Sequence, residues 1–236
     1  MKTLLIVPCY NEQETIAELY REIREKTVYD VLVINDCSTD DSRAILREEG
    51  IPHLDLPMNL GIGGAVQAGY RYALNNDYDI AVQLDGDGQH DPGQVGLITA
   101  PIEKDDADLV IGSRYIEKTG FQSSAMRRAG IKFFRGLIYC LSGKHITDAT
   151  SGFRAANRKT MRLFEKYYAI DYPEPESNML ALKSKLRVKE VPVTMRERQG
   201  GESSINSLQP IYYMFKVSIG IIIGSTIRAS IRKEGE

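Results

Sequence analysis

A chain of 236 residues, 42% hydrophobic and 26% charged, is long enough for one large domain with a substantial core, and this composition excludes a disordered or low-complexity protein. Cys9, Cys37 and Cys140 are odd in number and lack metal-ligand spacing, which excludes a disulfide scaffold and suits a reducing compartment. The formal net charge of −2 conceals an asymmetry: residues 114–162 hold eleven Lys/Arg against two acids, a net of +9, so the remainder carries −11.

In chain order, the apolar run 3–8 is too short for a signal-peptide core and predicts a first strand over 4–7. Ile16, Leu19, Tyr20 and Ile23 recur at helical spacing and predict a helix over 12–26. A strand over 31–34 follows. Ser38-Thr39-Asp40 then reads as the cap of a short helix over 40–49. A third strand is expected at 53–56, a helix at 65–74, and strands at 80–84 and 109–111. Strands alternating with helices through short links give an α/β fold with a parallel sheet covered by helices. Ligands of such sheets sit at the carboxyl ends of the strands.

The basic block 114–162 suits an anionic partner. Phe133, Phe134, Leu137, Ile138 and Tyr139 lie among its cations, which points to an anionic membrane surface. No nucleic-acid motif accompanies the block, so nucleic acid is not an expected partner. The apolar run 211–227 contains Lys216 and measures one bilayer span at most. It predicts an interfacial helix, a helix packed on the core, or a homo-oligomer contact. The expected division is a catalytic domain over 1–206 and a C-terminal apolar and basic helix over 207–236.

The polar clusters fall after the predicted strands: Pro8-Cys9-Tyr10-Asn11-Glu12, Asn35-Asp36-Cys37-Ser38-Thr39-Asp40, Asn59-Leu60-Gly61-Ile62-Gly63-Gly64, and Asp85-Gly86-Asp87-Gly88-Gln89-His90. Asp85 and Asp87 share one face at a strand end. Two hard oxygen anions so placed suit Mg2+ or Mn2+ that also takes phosphate oxygens, and hence a nucleotide diphosphate. Gly86 and Gly88 are expected to leave room for a ligand at the backbone. A bare Asp-x-Asp is also an ordinary acidic turn. Asp36 suits a nucleobase or ribose, or the cap of the next helix. The turn holding Gly61, Gly63 and Gly64 precedes a helix, so its N–H groups are expected to face an anion.

These pieces, with Gly112-Ser113-Arg114-Tyr115, Ser151-Gly152-Phe153-Arg154 and Arg198-Gln199-Gly200-Gly201-Glu202-Ser203-Ser204, come in the order found in family 2 glycosyltransferases. The chain resembles that family over about residues 3–206, and within it the dolichyl/polyprenyl-phosphate mannosyl- and glucosyltransferase branch. The resemblance implies a nucleotide-diphospho-sugar transferase (GT-A type) fold. It implies an inverting, metal-dependent transfer from a UDP- or GDP-linked sugar to a polyprenyl phosphate such as undecaprenyl phosphate. The work would serve the cell envelope, at the cytoplasmic face of the membrane. It implies donor contacts from Pro8, Tyr10, Glu12, Asp36, Gly61, Gly63 and Gln89, with Arg198 and Ser203 in a segment closing over the diphosphate, and metal ligation by Asp85 and Asp87. His90 lies just beyond. An anionic acceptor oxygen needs cations rather than a base, and Arg114, Arg127, Arg128, Lys132 and Arg135 are the candidates. A saccharide hydroxyl, in cell-wall or capsular polysaccharide synthesis, needs a base, and Asp148 is the candidate. A non-catalytic nucleotide-sugar or membrane-binding module is the alternative of another class.

Overall fold

The computed structural model describes residues 1–117, 125–170, 173–197 and 209–226. Strands β1 (Thr3–Cys9), β2 (Asp30–Asn35), β3 (His53–Asp55), β4 (Ile80–Gln83), β5 (Leu109–Ser113), β6 (Arg154–Asn157) and β7 (Val188–Pro192) form one seven-stranded sheet in the order β3-β2-β1-β4-β6-β5-β7. Helices α1 (Ile16–Lys26), α2 (Ser42–Glu48), α3 (Gly61–Asn75), α4 (Val95–Glu103), α5 (Ala125–Ser142), α6 (Arg158–Tyr167), α7 (Pro173–Lys183) and α8 (Gln209–Thr226) cover its two faces. Strand β1 is buried along its whole length. Its side chains alternate between two cores, as strand geometry requires. Leu4 and Ile6 join the cluster with α3, α6 and α7, whereas Leu5, Val7 and Cys9 join the cluster with α1, α2 and α4.

The sheet is mostly parallel, and β6 is the exception: it runs antiparallel to both β4 and β5. The cause is connectivity. The chain leaves β5 at the carboxyl edge, makes α5, and returns at that same edge, so the next strand must run backwards. Gln83 at the end of β4 therefore pairs with Arg154 at the start of β6. The loop carrying Ser151, Gly152 and Phe153 is thereby laid beside the end of β4.

Several helix starts differ from the sequence expectation. Helix α1 begins at Ile16 rather than residue 12, because the Glu12 carbonyl accepts from the Thr15 and Ile16 amides in a turn. Helix α2 begins at Ser42, with Asp41 at its N-cap making no side-chain cap bond. Asp40 instead accepts from the Ser42 amide (3.0 Å) and the Gln13 amide (3.1 Å), joining two loops. Helix α3 begins a turn early, at Gly61.

Helix α8 packs on α5 and α7. Val217 and Ile221 are fully buried in the cluster that holds Phe134, Ile138 and Met179. Burying each contributes about 2 kcal/mol, which ties this helix to the core. Its outer face exposes Ile219, Ile222 and Ile223. No helix among the described residues is long and apolar enough to cross a membrane.

Two of the three glycine amides at the start of α3 are taken by the protein's own groups. The Gly63 amide donates to the Ile170 carbonyl at 2.8 Å, and the Gly61 amide donates to Asn59 Oδ1 at 3.0 Å. A Cβ on Gly63 would lie 1.9 Å from the Ala169 carbonyl oxygen and 2.4 Å from that of Ile170. Gly63 is therefore a close-packing glycine that seats α3 against the chain after α6. Gly63→Ala should destabilise the fold by about 2 kcal/mol or more, as overpacking against backbone does. Urea denaturation checks this: an unchanged midpoint would show that the contact yields freely.

Candidate active site at the carboxyl edge of the sheet

The loops after β1 and β2 interlock. Asn11 (φ 56) and Cys37 (φ 58) both adopt the left-handed conformation, which asparagine tolerates but which is uncommon for cysteine. Here the Asn11 amide donates to Ser38 Oγ (3.1 Å), the Thr39 amide donates to Asn11 Oδ1 (2.8 Å), and the Glu12 amide donates to Ser42 Oγ (2.9 Å). Pro8 is buried under this edge, Glu12 is half-buried, and the Tyr10 ring is exposed rather than packed in the core. Burial pushes the Cys9 thiol up to about 12, which leaves it an inert packing group.

Asp36 follows β2 and is 3% exposed. It does not cap α2. Its Oδ1 accepts from the Leu60 amide at 2.7 Å, which fastens the loop before α3. Desolvation raises its carboxyl above the ordinary range, and the Leu60 and Gly61 amides only partly offset this. A raised acid costs stability wherever it is ionised, that is, above its folded value. Asp36→Asn keeps the Oδ1 acceptor and removes the charge. It should therefore raise the melting temperature at pH 7, with the gain shrinking as pH falls through the carboxylate range. Equal melting curves across pH 4 to 7 would refute the burial argument.

Strand β4 ends at Gln83, and the Asp85–Asp87 turn follows directly. The space over Gly86 is occupied by the protein itself: a Cβ there would lie 2.8 Å from the Pro8 carbonyl oxygen, and the Gly86 carbonyl accepts from Thr15 Oγ1 at 3.0 Å. The turn is thus fastened to the β1 loop, correcting the expectation that this glycine admits a ligand. Asp85 retains a partly exposed side chain, 31% accessible. Its Oδ1 accepts from Gln83 Nε2 at 3.1 Å. Its amide donates to His90 Nδ1 at 3.0 Å, which assigns the ring proton to Nε2, 3.6 Å from Asp85 Oδ2. His90 is buried and stacks on Phe153, so it serves here as a support. Asp87 Oδ1 accepts from the Gln89 amide at 3.1 Å.

The segment that leads to residue 198 is strapped to this turn. Arg196 donates its amide to the Gln89 carbonyl at 3.0 Å, and Met195 bridges to His90. The Arg196 guanidinium forks onto Glu22 at 2.7 and 2.9 Å. Arg198 and Ser203 lie outside the described residues.

Asp148 and Arg114, the base candidate and one of the phosphate candidates, are found in each other's grip. Asp148 is fully buried and Arg114 is 6% exposed. Asp148 Oδ2 accepts from Arg114 Nε at 2.7 Å and from its amide at 3.2 Å, while Oδ1 accepts from Nη2 at 2.8 Å. The Asp148 amide donates to Glu190 of β7 at 2.8 Å. The carboxylate is thus a joint in the structure, with no exposed oxygen to take a proton from a hydroxyl. The basic block divides accordingly: Arg114 and Arg154 are internal, Arg128 and Lys132 are exposed on α5, and Arg135 is half-buried. The side chain of Arg127 lies outside the described residues.

The sequence reading assigned no role to Gln83, Gly152 or Tyr168. Gln83 is fully buried and accepts from the Tyr168 hydroxyl at 3.3 Å. A Cβ on Gly152 would lie 2.9 Å from both Asp85 carboxylate oxygens. Burial raises the Tyr168 phenol well above its ordinary value, so it remains a proton donor. Among the described residues no cluster of three or more His, Cys, Asp or Glu side chains could hold a metal alone. Asp85 and Asp87 supply two carboxylates, the donor set that suits a Mg2+ or Mn2+ ion completed by diphosphate oxygens and water.

Residues 4–164 match the family described as Glycosyl transferase family 2. The undecaprenyl-phosphate mannosyltransferase of Micrococcus luteus is 34% identical over 224 residues, covering 87% of this chain and 88% of that protein. The polyprenol monophosphomannose synthase of Mycolicibacterium smegmatis is 29% identical, covering 97% of this chain and 90% of that protein. Glucosyl-3-phosphoglycerate synthase from Mycobacterium tuberculosis, solved with Mn2+, UDP-glucose and phosphoglyceric acid, matches with a TM-score of 0.73 at 18% identity, over 95% of this chain and 79% of that one. At that identity the likeness establishes the architecture. With a mostly parallel sheet, its polar loops gathered at the carboxyl edge, and a family match over residues 4–164, the chain belongs to glycosyl transferase family 2 and has a GT-A-type α/β fold.

Proposed function

We propose that this protein is an inverting glycosyltransferase that moves a sugar from a nucleotide diphosphate to a polyprenyl phosphate in cell-envelope glycan assembly. The observation that carries the donor half is the Asp85/Asp87 pair after β4, with Asp85 partly exposed and Asp87 8% exposed, two strands from Asp36 after β2. Two strand spacings are about 10 Å, which suits a base or ribose at Asp36 and a diphosphate at the pair. The exposed Tyr10 ring lies after the intervening strand, available to stack on the base. Asp85 and Asp87 would hold Mg2+ or Mn2+ there, and such an ion supplies charge neutralisation to the departing nucleotide.

The acceptor half is supported by the two relatives named for polyprenyl acceptors and by the state of Asp148. A phosphate oxygen is already anionic and attacks without a base; a sugar hydroxyl requires one. The base candidate is locked against Arg114, which favours the phosphate. Direct displacement of the nucleotide by that oxygen inverts the anomeric centre. With Arg114 engaged internally, the cations proposed to receive the lipid phosphate are those of α5: Arg127, Arg128, Lys132 and Arg135. Arg198 and Ser203 are proposed to close over the diphosphate.

A panel of UDP- and GDP-sugars with undecaprenyl phosphate tests the activity. Asp85→Asn and Asp87→Asn should each lower transfer by about a hundredfold or more, since the lost charge stabilisation amounts to several kcal/mol, while the circular dichroism melt stays cooperative. Full transfer by both variants, or by the wild type in excess chelator, would refute the metal role.

The lipid acceptor places the enzyme at a membrane surface, which we propose to be its cytoplasmic face. Phe133 and Tyr139 are each 45% exposed on α5, beside Lys132. Each cation near an anionic bilayer contributes about 1 kcal/mol, screened by salt. The protein should co-sediment with anionic vesicles at low ionic strength and release in high salt, and the double variant Lys132→Glu, Phe133→Ser should bind less. A wild type that stays in the supernatant at low salt would refute this surface.

A further inference from the structure

The hydrogen bonds beneath Asp85 lead back into the core, and they have a direction. The carboxylate only accepts, so Gln83 must present Nε2 to Asp85 Oδ1, 3.1 Å away. That leaves Gln83 Oε1 pointing inward from a fully buried side chain, where an unpaired carbonyl is costly. The Tyr168 hydroxyl donates to it at 3.3 Å. Tyr168 is itself held rigidly: its ring meets Tyr70 edge-on at 5.6 Å and packs on Phe164 at 5.0 Å. On the other side, Gly152 leaves the carboxylate just enough room, since a Cβ would lie 2.9 Å from either oxygen and from Gln83 Nε2.

We infer that Gln83 and Tyr168 are positioning residues for the candidate metal site: Tyr168 holds the inner end of the Gln83 amide, and the amide restrains the rotation of the Asp85 carboxylate. The inference rests on the proposed binding of a divalent cation by Asp85 and Asp87. Without the Tyr168 hydroxyl, Gln83 Oε1 loses that donor inside the core, and the amide is held only by the carboxylate it is meant to orient. The Asp85 carboxylate is then less tightly fixed in rotation, and the site holds a cation less well. Glutamate at position 83 replaces the amide donor with a second carboxyl group beside Asp85. Outer hydrogen-bond partners of metal ligands typically account for tenfold to hundredfold in metal affinity.

The test is a Mn2+ titration followed by electron paramagnetic resonance, in the presence of UDP and, separately, of GDP, on the wild type and on Tyr168→Phe, Gln83→Glu and Asp85→Asn. Thermal melts accompany each. Tyr168→Phe retains the ring contacts and should weaken Mn2+ about tenfold with a melting temperature near that of the wild type; Gln83→Glu should weaken it more. In transfer assays, Tyr168→Phe should raise the Mn2+ concentration needed for half-maximal rate and recover most of its kcat at saturating Mn2+. A purely structural role would lower the melting temperature and kcat while leaving the Mn2+ dependence in place. If Asp85→Asn binds Mn2+ as the wild type does, the metal site itself is wrong. If Asp85→Asn loses Mn2+ while Tyr168→Phe binds it with wild-type affinity, the metal site stands and this inference falls. Should Gln83→Glu fail to fold, Tyr168→Phe alone decides.

Discussion

On the proposed function, two carboxylates one residue apart have to be held in orientation at the mouth of a buried strand, and much of the structure around Asp85 answers that constraint. Neighbouring like charges repel, more strongly in a partly desolvated site than in water. Donors and a nearby cation offset this. Asp87 takes the Gln89 amide, Asp85 takes the Gln83 amide, and the Arg114 cation lies close enough for Asp85 to act on it. His90 completes the support by accepting the Asp85 amide, so the backbone and the side chain of the same residue are both held. Asp85 keeps its partial exposure among these partners. Asp85 is therefore held through both backbone and side chain yet stays partly open, while Asp87 is buried.

Topology makes this support available. Had β6 run parallel to its neighbours, its first residues would sit at the opposite edge and the loop before it could not reach Asp85. Because β6 is antiparallel, the stretch 146–153 lies along the carboxyl edge and delivers three things at once: Gly152 under the carboxylate, Phe153 against His90, and Asp148 against Arg114. Glu190 of β7 holds the same stretch through the amides of Thr147 and Asp148. One reversed strand thus couples the end of β4 to the end of β5.

The sequence was most legible where a rule of backbone geometry applied. Apolar runs located β1, β2, β4 and β5, and turn residues placed Asp36, Asp85 and Asp87 at one edge. It was least legible where the answer depended on a distant partner. Arg114 and Arg154 count as cations in the basic block, yet both are buried, and nothing in a run of charges separates a buried arginine from a solvated one. Asp148 reads as an available carboxylate because its partner lies 34 residues earlier. Gly63 and Gly86 read as ligand-facing, although each gives way to the protein's own backbone. The composition is the same in both cases; only packing decides what fills the space. Gln83 did carry a signal, as a polar residue between Val82 and Leu84 in a run otherwise apolar. Tyr168, 85 residues away, carried none.

The locked Asp148 also bears on what kind of acceptor such a site would serve. A hydroxyl acceptor obliges an enzyme to keep one carboxylate basic, accessible and aimed, conditions that a 0% exposed, doubly bonded ion pair does not meet. A phosphate acceptor removes that requirement and raises another, because a dianionic diphosphate and an anionic lipid headgroup must approach each other. The charge distribution of this chain suits the second problem. Its acids outnumber its bases overall, yet residues 114–162 carry a net +9, with Arg128 and Lys132 exposed on the helix that follows β5. On the proposed function, one anion would be met by a cation held at the end of β4, and the other by the basic helix reached from the end of β5. The buried Arg114–Asp148 pair, sitting between those two strand ends and carrying no net charge, would hold them in register without competing for either anion.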